Sequence, residues 1–519
     1  MKKRLSNHIK NLLLPCLFLS MATGFFSALT VTLFKLLAEW AVRLCATVYG
    51  VVRERPVLLP LLILGAAAIG FIARQALHHS HSCRGGGIPT SIAAIRGIVS
   101  FKWVAGLTIL PFSALLSFLS GLPLGTEGPC VQMGTAVGDG VSELIGGKKH
   151  RAWRRYSMTG GACAGFSLAT ASPITAIFFA MEELHKHYSP LLLTVAAVSV
   201  TTAQLTARAL CALGIGSIGL FEVHEMASLP LSLLTAPLLI GVVAGVCSIL
   251  FTKLYHLIDR GVHFILARAS TKLIYPALFA SAALVGFFLS DALGTGHSLI
   301  ESLLEARVAW YILILVFIVR AIGMMTSNTA GATGGVFLPT LAFGAMIGAV
   351  CGEAMLGLSL IGQEQYPLMV VLGITAFLGA TSRIPLTACV FAVEALGGIG
   401  NVLPLIITTT VALLVTEASG LEDFTDTMID AKIKKISRGK TPTVVETSLR
   451  VGQGSFAVGK ELRDLLWPNS CVVVSYEHSG QSHSAQGIAP SDIITVRYST
   501  YDNEATISEL EALVGEQER

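Results

Sequence analysis

The sequence predicts an all-α polytopic membrane protein with two homologous halves and broken helices, followed by a small α+β domain. Three observations predict this fold. Apolar stretches long enough to cross a bilayer recur as far as residue 430. Two sequence blocks recur about 210 positions later, in the same order. Beyond residue 430 the charged fraction rises from about 11% to about 24%, which is close to the value for soluble proteins.

The composition argues against several classes of function. Hydrophobic residues make up 53% of the 519 residues and charged residues only 13%, and the mean hydropathy is +0.70. These values argue against a soluble enzyme. A net charge of +4 without a basic stripe argues against nucleic-acid binding. Because the chain carries no HExxH motif and no nucleophile–base set, we expect an ion transporter rather than an enzyme, with no metal and no cofactor.

The start of the chain resembles a signal peptide but predicts an uncleaved first helix. Its apolar character continues through residues 12–48 without a polar mature start. By the positive-inside tendency, the basic residues before it place the N-terminus in the cytoplasm, and these are Lys2, Lys3, Arg4 and Lys10. The ten cysteines are scattered singly, which is typical of small buried apolar residues. The run from His78 to Cys83 lacks an ordered ligand spacing, and we interpret it as a solvated loop.

An internal duplication divides the membrane domain. Residues 173–184 (PITAIFFAMEEL) and 385–396 (PLTACVFAVEAL) are identical at seven of twelve positions. Before them, residues 125–138 match residues 335–348 at an offset of 210. The duplication predicts a membrane domain over residues 1–430, with halves at about 12–215 and 228–430. Such a repeat is typical of transporters, in which the substrate site lies between the halves.

Several apolar segments are short or interrupted by Gly and Pro. These segments are 85–98, 125–138, 159–183, 334–350 and 385–398. Short, interrupted segments predict helices that end inside the membrane, where only a protein-lined cavity can satisfy their free N–H or C=O groups.

Two of these helices begin with the same Gly-x-x-x-Pro frame, at Gly125–Pro129 and at Gly335–Pro339. Glycine lets a ligand approach the backbone, and proline is favoured in the first helical turn. Two helix N-termini that meet between the halves would bind an anion through N–H groups and partial positive charge, weakly enough for release. The alternative is tight helix packing, since both helices also carry a GxxxG spacing, and both roles can hold together.

Two acidic positions are the candidate gating and proton-transfer residues. Glu127 stands inside the first helix start, where a carboxylate at membrane depth is expensive and therefore a functional candidate. When ionised it would occupy the anion site, and when protonated it would leave. The alternative is a carboxylate that only stabilises its helix. Glu182 has a counterpart in Glu394, which predicts an architectural role. Glu183 faces Ala395 in the repeat, which predicts a specialised proton group, or alternatively a solvated helix end.

These motifs resemble those of the CLC family of chloride channels and chloride/proton antiporters, over roughly residues 15–430. The family signatures GSGIP, G(K/R)EGP and GxFxP correspond here to residues 85–89, 125–129 and 335–339. The resemblance implies inverted halves and a homodimer with one anion pathway in each subunit. It implies the external gating role for Glu127 and the internal proton role for Glu183. It also implies anion contacts from the segment Gly86, Gly87 and Ile88, from the backbone of Val336 and Phe337, and from the position of Phe424. The same resemblance gives the helix-start roles to Gly125, Gly128, Pro129, Gly335 and Pro339.

The chain departs from the family pattern at three positions. Gly86 replaces the serine that contacts the central anion, and Thr126 replaces a basic residue. Phe424 stands where the family has an anion-contacting tyrosine. Neither side-chain hydroxyl is therefore expected at the central site, and a serine at position 86 is expected to fit. Because Gly128 and Pro129 are intact, the fluoride-selective branch is not favoured.

The tail changes character after a basic connector at residues 431–441. Residues 442–519 predict three strands, a short helix in KELRDLLW and a terminal helix, and they resemble the TrkA-C domain. The resemblance implies a cytoplasmic regulatory module that binds a small-molecule ligand. We therefore expect an integral protein of the bacterial inner membrane with both termini in the cytoplasm. Its expected activity is exchange of chloride or a similar anion for protons, and the alternative is a passive chloride channel of the same fold.

Overall fold

The structure is a computed structural model that describes most of the chain. The described residues are 14–78, 80–99, 101–146, 150–216, 219–221, 226–268, 270–437, 442–468, 470–478, 487–500 and 503–516. The four basic residues expected to orient the N-terminus lie outside these ranges, as do His79 and the end of the basic connector.

Each half contributes eight α-helices within the described residues. Those of the first half are α1 (Leu14–Glu54), α2 (Leu59–His78), α3 (Gly87–Ile95), α4 (Trp103–Leu119), α5 (Glu127–Ile145), α6 (His150–Thr170), α7 (Pro173–Phe179) and α8 (Pro190–Ala212). Those of the second half are α9 (Thr235–Arg268), α10 (Thr271–Phe288), α11 (His297–Glu305), α12 (Trp310–Ala330), α13 (Phe337–Gly357), α14 (Tyr366–Thr381), α15 (Pro385–Ala395) and α16 (Val402–Glu417). Helix α17 (Phe424–Ser437) leads to the tail.

The order of helix lengths repeats between the halves. The third helix of each half, α3 and α11, has nine residues, and the seventh, α7 and α15, is also short. Among the described residues, seven helices are long and apolar enough to cross a membrane. The predicted all-α polytopic membrane fold with broken helices in two homologous halves is confirmed.

The first helix belongs to the folded core. Helix α1 is a continuous helix of 41 residues that packs against α8 and α6. Residues 80–83, interpreted from the sequence as part of a solvated loop, are partly buried. Ser80 and Cys83 are buried, and Thr333 donates a hydrogen bond of 2.9 Å to the Cys83 carbonyl. The loop interpretation is wrong at these two positions, because the connection from α2 to α3 packs against the second half.

The halves meet in opposite directions at their matching motifs. Gly125 and Gly335 form an antiparallel bridge, in which each N–H donates to the other carbonyl at 2.7 Å. Helices α5 and α13 follow directly after these two glycines. The two motifs therefore enter their helices from opposite directions, as inverted halves require.

A second pair of reciprocal contacts joins the halves through carboxylates. Glu394 accepts hydrogen bonds of 2.8 Å from the N–H groups of Ile174 and Thr175 at the start of α7. Glu182 accepts equivalent bonds of 3.1 and 2.6 Å from the N–H groups of Leu386 and Thr387 at the start of α15. Each acidic side chain thus caps the N-terminus of a helix in the opposite half, where the helix dipole favours negative charge.

The GxxxG spacings serve close helix packing. A Cβ atom on Gly134 would lie 2.0 Å from the Gly161 carbonyl oxygen, and one on Gly138 would lie 2.1 Å from the Ser157 carbonyl oxygen. In the second half, a Cβ atom on Gly348 would lie 2.2 Å from the Met369 carbonyl oxygen. Helices α5 and α6, like α13 and α14, therefore approach with backbone against backbone. The packing role considered from the sequence is present together with the helix-start geometry.

The tail contains a three-stranded antiparallel sheet. Its strands are β1 (Thr443–Arg450), β2 (Val472–Glu477) and β3 (Ile493–Thr500), in the order β1-β3-β2, and helix α18 (Asn503–Leu513) follows. The expected short helix in KELRDLLW is reduced to one 3-10 turn at Leu462–Asp464. The expected linker at 431–441 is helical as far as Ser437, because this part of it contains neither Gly nor Pro to end α17.

The tail packs against the N-terminal end of α6. Phe456 lies edge-on to Trp153, with ring centroids 4.9 Å apart. Arg155 donates a hydrogen bond of 3.2 Å to the Leu466 carbonyl and pairs with Glu509. Trp153, Tyr156 and Phe456 are all buried. The tail thus covers an aromatic surface of the membrane domain.

We expect the reciprocal carboxylate caps to stabilise the fold. Glu394→Ala removes three hydrogen bonds from the start of α7 and should lower the free energy of unfolding by about 1.5–3 kcal/mol. Glu394→Gln should lose less, since an amide oxygen still accepts. Thermal unfolding in detergent measures the difference. Glu54→Ala, at the exposed end of α1, is the control, and equal melting temperatures for all three variants would contradict the cap.

We expect the aromatic contact to hold the tail in place. Phe456→Ala removes the ring that packs on Trp153 and should weaken docking by about 3 kcal/mol. Hydrogen exchange at the start of α6 should then accelerate, while β1 and β3 stay protected. Val444→Ala, 70% exposed on β1, is the control. Unchanged exchange in Phe456→Ala would mean that the polar contacts alone hold the tail.

Candidate functional site

Three motif glycines meet backbone to backbone at the centre of the membrane domain. A Cβ atom on Gly87 would lie 1.9 Å from the Gly128 carbonyl oxygen. A Cβ atom on Gly128 would lie 2.6 Å from the Gly335 Cα and 3.1 Å from the Gly87 nitrogen. Any side chain at Gly87 or Gly128 would therefore push the three segments apart. The structure thus brings the three sequence motifs, which lie far apart in the chain, into contact.

The same contact brings three helix N-termini together. Helix α3 begins at Gly87, α5 at Glu127 and α13 at Phe337. Their N-cap residues Gly86, Thr126 and Val336 make no side-chain cap. The N–H groups of Ile88, Val336 and Phe337 are therefore not used by side chains of these N-cap residues. Converging N–H groups and dipole ends favour an anion.

Glu127 lies at the crossing of two of these helix starts. Its side chain is 0% exposed, and a Cβ atom on Gly125 would lie 2.4 Å from its Oε2. Thr126 donates a hydrogen bond of 3.0 Å to Oε1. Among the residues that the structure describes, Oε2 accepts no hydrogen bond of normal geometry. Backbone N–H groups of Glu127 and Leu338 also interact with the carboxylate, so it lies between the starts of α5 and α13.

Two cavities approach the helix starts. One has a volume of about 530 Å³ and is lined by Gly85, Gly86 and Pro89 and by the C-terminal end of α2. The other has a volume of about 970 Å³ and reaches Thr126 and Leu338. It also borders the C-terminal end of α1, which is joined to the beginning of α2. The first cavity, which α17 also lines, is called the tail-side cavity below, and the second is called the far-side cavity.

Basic side chains line the tail-side cavity. Arg74, Arg84 and Lys432 contribute to its wall. Lys432 donates a hydrogen bond of 3.0 Å to the Arg84 carbonyl and another to Thr90. Helix α17 thereby places a positive charge beside the Gly-rich motif. This contribution was not predicted, because Lys432 was assigned to the basic connector between the two domains.

Glu183 lies on a π-helical turn, Ala180–His185, that continues α7. Such turns are frequent at functional sites. The side chain is 3% exposed, Thr425 at the start of α17 hydrogen bonds to its carboxylate, and Oε2 has no partner among the described residues. Glu183 is therefore a buried carboxyl group, and the interpretation as a solvated helix end is wrong. Its neighbour Glu182 points instead into the cap of α15.

An ion cluster surrounds the turn that carries Glu183. Lys186 donates hydrogen bonds of 2.8 Å to Asp423 and 2.5 Å to Asp426. Arg96, at the end of α3, donates to the Glu183 carbonyl at 3.4 Å and lies 3.7 Å from Asp426. The cluster joins α3, the π-turn and α17. The sequence alone does not indicate this cluster, because its members come from three distant segments without a common motif.

Two predicted anion-contacting positions lie close to side chains that the sequence motifs do not include. The Phe424 ring packs against Phe251 and Tyr255, with centroids 5.1 Å away in each case, and its side chain is 1% exposed. At Gly86, a Cβ atom would lie 3.0 Å from Nδ2 of Asn328. A serine there would require that amide to shift by a few tenths of an ångström. The neighbouring side chain comes from the end of α12, which no motif marks.

The comparisons with known proteins agree with this geometry. The family model described as "Voltage gated chloride channel" matches residues 65–417. The fold resembles a slow cyanobacterial Cl⁻/H⁺ antiporter with a TM-score of 0.73 and 21% identity, over 81% of this chain and 98% of that chain. It also resembles a CLC-type fluoride/proton antiporter, with a TM-score of 0.61 and 20% identity over 78% and 96% of the two chains.

A eukaryotic CLC transporter matches with a TM-score of 0.65 and 19% identity, over 81% of this chain and 74% of that chain. At these identities the structural matches establish the fold, and the sequence match establishes the family. Residues 442–519 lie outside the sequence match, and their three-stranded sheet is compatible with the resemblance to TrkA-C. The chain belongs to the voltage gated chloride channel family.

Proposed function

We propose that this protein exchanges chloride or a similar inorganic anion for protons across the membrane. The observation that carries the proposal is the position of Glu127, a fully buried carboxylate at the crossing of two helix starts. An ionised carboxylate and a transported anion compete for the same N–H groups, because both are held by the same helix dipoles. Protonation removes the negative charge of Glu127 and opens the path to the anion.

The anion route runs between the two cavities through the helix starts. Basic side chains on the tail-side wall raise the local anion concentration. At the centre, backbone N–H groups replace part of the hydration shell. Because these groups carry only partial charges, the anion is released readily. Anion movement is thus coupled to the protonation of Glu127.

Glu183 supplies the second proton station. It is buried at the end of α7, beside charged groups that reach the tail-side surface. A passive channel of the same fold is the second candidate function, and it would need no proton group at this position. The burial of Glu183, with Oε2 lacking a partner among the described residues, favours the exchanger.

The exposed apolar surface of the membrane domain indicates how the protein assembles. The exposed faces of α7, α15 and α16 carry large apolar residues, which are Ile174, Leu386, Leu403 and Ile406. We propose that they form the contact of a homodimer in the bilayer.

We also propose a bacterial inner-membrane location with the N-terminus and the tail in the cytoplasm. For residues 442–519 we propose a regulatory role through a small-molecule ligand. The basic wall of the tail-side cavity agrees with a cytoplasmic face.

Glu127→Gln mimics the protonated carboxyl and should abolish proton transport while anion flux continues. The side chain keeps its shape but can no longer exchange a proton. Anion and proton fluxes from liposomes that contain the purified protein measure the effect. Glu54→Gln, at the exposed end of α1, should behave as wild type. Anion-driven proton pumping in Glu127→Gln would rule out the gating role.

Glu183→Gln should reduce proton transport by at least tenfold and leave anion flux within about twofold. The matched control is Glu182→Gln, one residue away, whose side chain caps α15. That variant should keep proton coupling and melt at a lower temperature. If Glu183→Gln still moves protons at the wild-type ratio to anions, Glu183 is not the second proton station and another proton path must exist.

A further inference from the structure

We propose that the Asn328 amide and the Tyr275 hydroxyl form the anion-binding contacts of the tail-side cavity, in place of the hydroxyls that Gly86 and Phe424 do not supply. The proposal rests on the proposed anion transport and names the residues that receive the anion on this side. Both donors come from the second half, on α12 and α10 respectively.

Asn328 occupies the room beside the Gly-rich motif. Its Nδ2 lies 3.0 Å from the position that a Cβ atom on Gly86 would take, so a side chain at position 86 would crowd the amide. The Nδ2 atom is buried, and among the residues that the structure describes it has no hydrogen-bond partner. Buried donors are normally satisfied, and one left without a protein partner indicates a ligand or water.

Tyr275 presents a second donor to the same cavity. Its side chain is 6% exposed, and its hydroxyl has no partner within the described part of the chain. The hydroxyl lies 3.0 Å from the Cβ position of Gly331. The Gly331 carbonyl accepts a hydrogen bond of 3.2 Å from the Gly85 N–H. Tyr275 and Asn328 therefore both lie beside the Gly85–Gly86 segment, and both line the tail-side cavity.

The chemistry of this pair selects a small monovalent anion. Both groups donate hydrogen bonds and carry no charge, while Arg74, Arg84 and Lys432 supply positive potential around them. Neutral donors bind chloride, bromide or nitrate without the strong attraction of a direct ion pair. The basic side chains then attract the anion to the cavity, and the amide and hydroxyl hold it next to the start of α3.

Calorimetric titration of the full-length protein in detergent with sodium chloride tests the two donors one at a time. Tyr275→Phe removes a single oxygen and should weaken chloride binding about tenfold, as should Asn328→Asp, which keeps the size of the side chain and loses the donor. Tyr311→Phe, on a side chain that is 62% exposed, should bind as wild type. Unchanged chloride affinity in both Tyr275→Phe and Asn328→Asp overturns the proposal.

A donor exchange tests the position of Asn328. Gly86→Ser alone should not tighten chloride binding, because the new side chain meets the amide. Asn328→Ala alone should bind about tenfold more weakly. The double variant Gly86→Ser/Asn328→Ala should recover most of the wild-type affinity, since the serine hydroxyl then enters the vacated space. If Gly86→Ser changes the affinity equally in both backgrounds, the two side chains do not share one place and the proposal is wrong.

The outcome separates this inference from the proposed function. A wild-type protein that neither binds nor transports chloride, bromide or nitrate contradicts the proposed function itself. A wild-type protein that binds and transports, and whose Tyr275→Phe and Asn328→Asp variants do the same with equal affinity, contradicts only the assignment of these donors. Size-exclusion chromatography identifies misfolded variants, and Tyr275→Phe keeps the test decisive because it preserves the ring.

Discussion

The paired hydrogen bonds between Gly125 and Gly335 are the contact on which the site depends. Each glycine donates to the other at 2.7 Å, so the two halves meet through their backbones rather than through side chains. Only glycine permits the neighbouring contact, in which the Gly128 backbone lies against both Gly335 and Gly87. The helix starts that follow these glycines converge because nothing bulkier separates them, and their N–H groups can face one ion.

Four buried or partly buried carboxylates divide into two functional pairs by their hydrogen bonds. Glu182 and Glu394 each bond two N–H groups and one hydroxyl of the opposite half, which satisfies them and fixes them in place. Glu127 and Glu183 are more deeply buried, yet each has an oxygen without a partner in the described part of the chain. A satisfied carboxylate stabilises the fold, whereas an unsatisfied one can change its protonation and position.

The tail is connected to the membrane domain near the second of these unsatisfied groups. Asp464 of the tail accepts a hydrogen bond of 2.9 Å from Ser189, a few residues after the π-turn that carries Glu183. The same tail buries Trp153 and Tyr156 on α6. These contacts of the tail with Ser189 and with α6 are the route that the proposed regulation would use.

The sequence by itself determined the fold class, the duplication, the helix starts and the two candidate carboxylates. These features can be recognised locally. Gly and Pro mark where a helix begins, and a repeated block is found by comparing the chain with itself. Only the tertiary structure decided what lies between the motifs. Asn328, Tyr275 and Lys432 come from α12, α10 and α17, and no spacing in the chain relates them to Gly86. Packing between the halves places the Asn328 amide beside Gly86, and the sequence motifs do not include that amide.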